Sequence, residues 1–236
     1  MPELLPKMIQ NILPVVDGVI VVWSHESNWG QFKEFEKPIQ NEKVTYYHVE
    51  PIQGHAPSFN ETLKRNFGID TAKKQGYTHF IICDGDELYV QSDLAQDKVH
   101  IEKHDLNGVV HQVIVLFKDP TLYCEDHTLV PGIQKLTKEI SVGDFKSYPY
   151  AYDSDRNAHI DPTRRPSHKD KIDMSPTIMY HASWIRKDFD LKIENSTARN
   201  NLKRSSIYKD LQNAEVGAWN EFYRTKLKRM PNLFGL

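Results

Sequence analysis

The segment Tyr77–Glu87, YTHFIICDGDE, constrains this chain more than any other. Its apolar run His79-Phe80-Ile81-Ile82-Cys83 leads directly into two aspartates one residue apart, Asp84 and Asp86, with Glu87 behind them. An uninterrupted apolar run of that kind predicts a strand buried on both faces, as in a parallel sheet. Open α/β sheets bind ligands at the carboxyl ends of their strands, where these acids would sit. Crowded carboxylates repel one another and are costly to keep charged unless a cation joins them. A polar turn after a core strand would carry the same D-x-D, so the reading depends on what flanks it.

Upstream, Leu4, Leu5, Met8, Ile12 and Leu13 recur at helical spacing and predict a short helix over residues 3–13, closed by Pro14. Asp17-Gly18 turns into Val19–Trp23, a buried strand opening on the polar loop Ser24-His25-Glu26-Ser27-Asn28. Val44–Val49 predicts a second strand. Ser58-x-x-Glu61 has the form of a capping box for a helix with Leu63, Phe67 and Ala72 inward and Gly76 at its end. Val109–Phe117 is a further strand. The order helix, strand, strand, helix, strand predicts an α/β fold with a mostly parallel sheet. Residues 121–175 are rich in Pro, Asp, Tyr and His without a period and read as loops that contact substrate. Ile178-Met179-Tyr180 is a short apolar run ending at His181. From Lys187 the chain reads as helical and basic, with Arg224, Lys226, Lys228 and Arg229 on a solvated face.

Composition narrows the function classes. The 236 residues suffice for one large α/β domain. Thirty basic against 32 acidic residues leave no global field that would recommend nucleic acid or a membrane surface. Cys83 and Cys124 form no C-x-x-C pair, which argues for a reducing compartment and against a disulfide framework or a cysteine-built zinc site. No apolar run approaches the ~18 residues of a membrane span. The start, MPELLPKMIQ, lacks the features of a signal peptide. The expectation is a cytoplasmic protein.

Asn60-Glu61-Thr62-Leu63-Lys64-Arg65-Asn66-Phe67-Gly68-Ile69, followed by Ala72, Gly76 and the strand into Asp84-Gly85-Asp86-Glu87, resembles the central segment of GT-A-type glycosyltransferases, above all the inverting family 2-like group. His181-Ala182-Ser183-Trp184 resembles a second patch of that group, where a histidine completes a metal site. The resemblance implies a GT-A-like, Rossmann-related sheet flanked by helices. It implies a nucleotide-sugar-binding half over residues 1–120 and an acceptor region with C-terminal helices over 121–236 of the same domain. It also implies an opening strand ahead of the first helix, which is expected to be missing here.

The activity implied by the resemblance is a metal-dependent transfer of sugar from a nucleotide-diphosphate donor to a glycan, protein or lipid-headgroup hydroxyl. A divalent cation neutralises charge on the departing diphosphate without proton transfer. Asp86 is the expected direct ligand, Asp84 a ribose or water-mediated contact, and His181 a third ligand that would favour Mn²⁺ over Mg²⁺. Arg65, Arg186 and Lys187 are candidate phosphate partners. His25 and Asn28, after the first strand, would take over part of the nucleotide site. An inverting transfer needs a base on the acceptor hydroxyl, and Asp126, backed by Glu125, is the candidate. A GT-A-like protein that binds nucleotide-sugar or glycan without turnover is the rival reading. A D-x-D phosphatase of the haloacid-dehalogenase type fits less well, because Leu88 stands where that group carries Thr or Val.

Overall fold

The structure, a computed structural model, describes residues 4–27, 34–153, 155, 159–187, 189–196, 199–203 and 205–236. Helix α1 (Leu5–Ile12) buries Leu5, Met8, Ile9 and Ile12 on one side, the stripe its spacing foretells. Its last turn is clamped to the core by Asn11, which accepts from the Tyr89 N–H at 2.8 Å and donates to the Tyr89 carbonyl at 2.9 Å. A 3-10 turn leads into β1 (Val19–Trp23), paired in parallel with β2 (Val44–His48).

Helix α2 (Pro57–Lys74) starts one residue before the expected capping box, and its N-cap, Ala56, makes no side-chain cap bond. Proline in the first turn presets the helical φ instead, which explains the start. Gly76, at φ +80°, supplies the left-handed residue that ends the helix, as expected. The inward face differs from expectation: Asn60, Ile69, Thr71 and Ala72 are buried, whereas Phe67 is 38% exposed.

The remaining elements are β3 (His79–Phe80), β4 (Glu87–Tyr89), α3 (Gln91–His104), β5 (Gly108–Phe117), β6 (Asp119–Lys135), β7 (Ile172–Trp184), α4 (Phe189–Asn195), α5 (Arg199–Lys203), α6 (Ile207–Gln212), β8 (Trp219–Asn220), β9 (Thr225–Lys226) and β10 (Lys228–Arg229). The main sheet runs β10-β6-β5-β7-β4, with β3 also on β6. Within it β5 and β7 are parallel, and every other pairing is antiparallel. The mostly parallel sheet expected from sequence is therefore corrected to a mixed, curled one. The cause is β6, which turns straight back from β5 through Lys118 at φ 71° and runs for 17 residues. That strand also overturns the loop expected at the start of 121–175, since its Tyr123, Cys124 and Val130 pair with β5 across a register shift between Gln112 and Val113.

The Tyr77–Cys83 strand shrinks to His79–Phe80, and Phe80 to Cys83 are half-buried rather than core. The apolar centre lies instead on β5, where Val109, Val110, Val115, Leu116 and Phe117 are fully enclosed. Cys83 and Cys124 are free thiols. Among the described residues no helix is long and apolar enough to cross a membrane.

Candidate functional site

The turn between β3 and β4 carries the acids and is rigidly built. The Glu87 N–H donates to the Asp84 carbonyl at 3.1 Å, and the Asp84 N–H donates back to the Glu87 carboxylate at 3.0 Å. Glu87 faces His181 across the β4–β7 ladder, and the Ala182 N–H donates to the Asp86 carbonyl at 2.8 Å. Two patches far apart in sequence are thereby fixed side by side.

Asp86 is 3% exposed and is the hub. Its Oδ2 accepts from the Ser183 hydroxyl at 2.9 Å and from Lys192 Nζ at 2.9 Å, with Arg186 Nη1 at 3.8 Å. Its Oδ1 lies 3.6 Å from His181 Nε2, and Ser183 bridges to that same ring nitrogen at 2.6 Å. Burial alone would raise the Asp86 carboxyl, but the Lys192 charge and His181 outweigh it and hold the group well below the usual carboxylate range.

Asp84 lies beside a second pair of cations, with Arg164 at 2.5 Å and Arg65 at 3.3 Å. Desolvation pushes its pKa up, and these guanidiniums push it further down, so it stays ionised. Arg164 also reaches Glu87 at 2.6 Å, and both side chains are buried. Burial raises the Glu87 pKa against the pull of Arg164. Around the turn, the carboxylates of Asp84, Asp86 and Glu87 are held by Arg65, Arg164, Arg186 and Lys192.

Consecutive residues of α2 tie two loops together. Lys64 Nζ donates to the Ser24 hydroxyl at 2.5 Å, and Arg65 bonds the Thr163 hydroxyl as well as Asp84. Beyond β1, the Glu50 carboxylate accepts from the backbone N–H groups of His25 and Glu26 at 3.2 and 3.3 Å, and from the His48 ring at 2.5 Å. Between these loops opens a cavity of about 800 Å³ lined by His25, Glu61, Arg65, Asp84, Asp86 and Arg186.

Of the residues picked from sequence, Asp84, Asp86, His181, Arg65, Arg186 and His25 converge on this region. Asn28 lies outside the described residues, and Lys187 is exposed next to Arg186. Glu125 and Asp126 do not line the cavity: they lie on β6, two strands across from β7, where Glu125 pairs with Lys228 at 2.5 Å. Trp23 packs against Phe35 and His48, and the buried Trp184 donates its indole N–H to the Tyr223 hydroxyl at 2.6 Å. Sequence reading missed Arg164, Lys192, Lys64 and Glu61. Arg164 carried one weak signal, the Arg164-Arg165 pair inside a stretch marked for substrate contact.

The donors present fit a divalent cation in a limited way. Asp86 Oδ1 and His181 Nε2 are the two atoms that would hold it, the other positions falling to phosphate and water. Among the described residues no group of three or more His, Cys, Asp or Glu side chains is arranged around one point. Asp84, expected in the same role, is occupied by its two arginines.

Glu61 has the perturbation most open to measurement. Burial raises it to about 7, eased by Arg65 at 3.8 Å and reinforced by Asp84 and Asp161. An acid whose folded pKa exceeds its unfolded value binds extra protons when folded, so stability falls as pH rises from 4.5 towards 7. Glu61→Gln is expected to be more stable than wild type at pH 8 by up to about 3 kcal/mol, since each tenfold change in proton affinity is worth ~1.4 kcal/mol. Urea melts should show the advantage vanishing near pH 4.5.

No protein-family model matches the chain, and no curated protein matches its sequence.

Proposed function

We propose that the chain is a glycosyltransferase with a GT-A-type α/β fold, which binds a nucleotide-diphosphate sugar in the cavity and passes the sugar to an acceptor hydroxyl. The observation that carries this reading is Asp86, buried among Lys192, Arg186, Ser183 and His181 at the rim of a cavity large enough for a nucleotide. Binding sites of this volume are the usual size for cofactor-sized ligands. Arg65, Arg186 and Lys192, which line the cavity, would meet the diphosphate oxygens, and the guanidiniums suit them by their fork geometry. A cation on Asp86 and His181, Mn²⁺ before Mg²⁺, would supply charge neutralisation on the leaving diphosphate. The protein's own part is to hold the phosphates and keep Asp86 ionised. Asp126 remains the proposed base, with Glu125 behind it, for an acceptor approaching over the β6 side of the sheet.

The test is a thermal-shift screen of UDP-, GDP-, CMP- and dTDP-sugars, with and without Mn²⁺, on wild type and Asp86→Ala. A ligand that binds only the folded state raises its apparent stability by mass action. The expected result is a shift with one nucleotide class, dependent on Mn²⁺ and lost in Asp86→Ala. No shift with any nucleotide removes the transferase reading.

One observation favours a second reading, a module that binds nucleotide-sugar without turnover: the two candidate base residues stand outside the cavity. Asp126→Asn separates the two. The transferase keeps donor binding and loses turnover, whereas the binding module shows turnover in neither form.

A further inference from the structure

A second, smaller recess of about 270 Å³ is lined by Lys118, Trp184, Arg186, Tyr208, Leu211 and Gln212. Arg186 lines the larger cavity as well, so the two meet at one guanidinium. The end of β7 thus serves both. His181 and Ser183 attend Asp86, while Trp184 and, two residues on, Arg186 wall the recess.

The turn from β5 into β6 supplies the recess with a fixed cation. Lys118 stands there at φ 71°, a left-handed conformation that a lysine adopts only under strain. Its N–H donates to the Trp184 carbonyl at 3.1 Å, which holds the turn against the end of β7. Its ammonium, which has three N–H donors, gives one to the Ala214 carbonyl, just beyond α6, at 3.2 Å. Among the described residues no carboxylate pairs with it. Asp119, its neighbour in sequence, accepts instead from the N–H and hydroxyl of Thr121, both at 2.7 Å. Asp190 accepts from the Tyr208 hydroxyl at 2.9 Å. Arg186 is also lightly used. Asp86 takes Lys192 at 2.9 Å and stands 3.8 Å from Arg186 Nη1, beyond hydrogen-bond reach. The Arg186 Nε–H is buried without an acceptor among the described residues, and buried donors left in that state are rare. Two cations and no carboxylate line the recess, so it suits an oxygen anion.

The other side chains bear on the rest of the ligand. Tyr208 is 42% exposed, and Phe222, 36% exposed, sets its ring 6.5 Å from that of Trp184. Apolar rings left exposed beside a recess mark a binding surface. Gln212 offers an amide donor and acceptor that suit hydroxyl groups. At about 270 Å³ the recess falls short of pockets for drug-sized ligands, so it admits one ring rather than a chain. We propose that the recess binds a single sugar unit carrying an acidic group, a carboxylate or a phosphate. The anion lies against Lys118 and Arg186, and the ring lies against the aromatic side chains. That this sugar is the acceptor rests on the transferase reading, which needs an acceptor beside Asp86 and on the β6 side of the sheet.

The test needs no turnover. The whole chain, without nucleotide, is titrated with glucuronic acid, glucose 6-phosphate and glucose, and NMR shifts are followed at the Trp184 indole and the Gln212 amide. At least one acid is expected to move both signals and to bind roughly 10-fold or more tighter than glucose. The better of the two identifies the acidic group. Lys118→Gly is the matched variant: glycine adopts φ 71° without strain, so the variant should fold at least as stably while lacking the ammonium. It should bind the acid roughly 10-fold more weakly and glucose as before. Absence of acid binding overturns the proposal, as does glucose binding as tightly as both acids. Shifts confined to other residues, or acid binding that Lys118→Gly leaves intact, overturn it equally. The nucleotide screen is read separately. Acid binding without any nucleotide response removes the transferase reading and keeps the sugar site, whereas a nucleotide response without acid binding removes the sugar site alone.

Discussion

Arg164→Met is expected to cost about 3–5 kcal/mol of folding stability, the toll of leaving buried charge without its partner. Arg164 is 7% exposed at its side chain and bridges Glu87, at 3% exposure, to Asp84. Methionine of similar length fills the space and leaves two carboxylates facing each other. Arg164→Lys, which keeps one charge but cannot fork, should fall between. Urea unfolding near pH 7 measures the loss. Its pH dependence checks the cause. In wild type Asp84 is held below its ordinary value of 3.8, so its contribution is present above that pH and is lost as pH falls through the lower folded value. The gap between wild type and Arg164→Met should therefore narrow in acid. A gap that stays constant down to pH 3 would point to packing rather than charge.

The second large effect lies away from the site. Asp97 is buried between α3 and the sheet, where its Oδ1 accepts from the hydroxyls of Ser175 and Thr177, the latter at 3.0 Å. Its Oδ2 lies 2.7 Å from Nε2 of His111, which has no exposed surface. Asp97→Ala strips three side chains of a shared partner and opens a cavity. A loss of about 3–5 kcal/mol is expected from an uncompensated buried network. Asp97→Asn, which keeps shape and some hydrogen bonds, should cost about 1–3 kcal/mol. Thermal melts of the two variants give the ordering. Nucleotide binding per folded molecule should be unchanged, because neither Asp97 nor His111 touches the cavity.

The sequence showed local pattern well and assembly poorly. β1 was legible residue for residue because Val19–Trp23 is a pure apolar run between a turn and a polar loop. The helix end at Gly76 was legible because only glycine adopts its φ of +80° without strain. By contrast the 17 residues of β6 look like loop, with Pro120, Pro131, Glu125, Asp126 and Thr128 scattered along them. They become a strand because β5 offers a continuous edge, a long-range fact that no local window holds. The site divides in the same way. Asp84, Asp86 and His181 were found because their types announce charge and metal chemistry. Arg164, from a loop 77 positions after Glu87, and Lys192, 106 after Asp86, were hidden. Ion-pair partners carry no spacing rule across such separations.

Lys64 and Arg65 stand on one rigid helix and hold Ser24 and Asp84, the lips of the cavity. Both lips are thus tied to one helix, through neighbouring side chains, before anything binds. That makes the helix a ruler. A molecule long enough to meet both lips finds them already in place and loses little to ordering them. A shorter fragment, such as free phosphate or a bare nucleoside, reaches one lip and gains nothing from the other. Discrimination by length is then a property of the scaffold, available to whatever ligand the cavity takes.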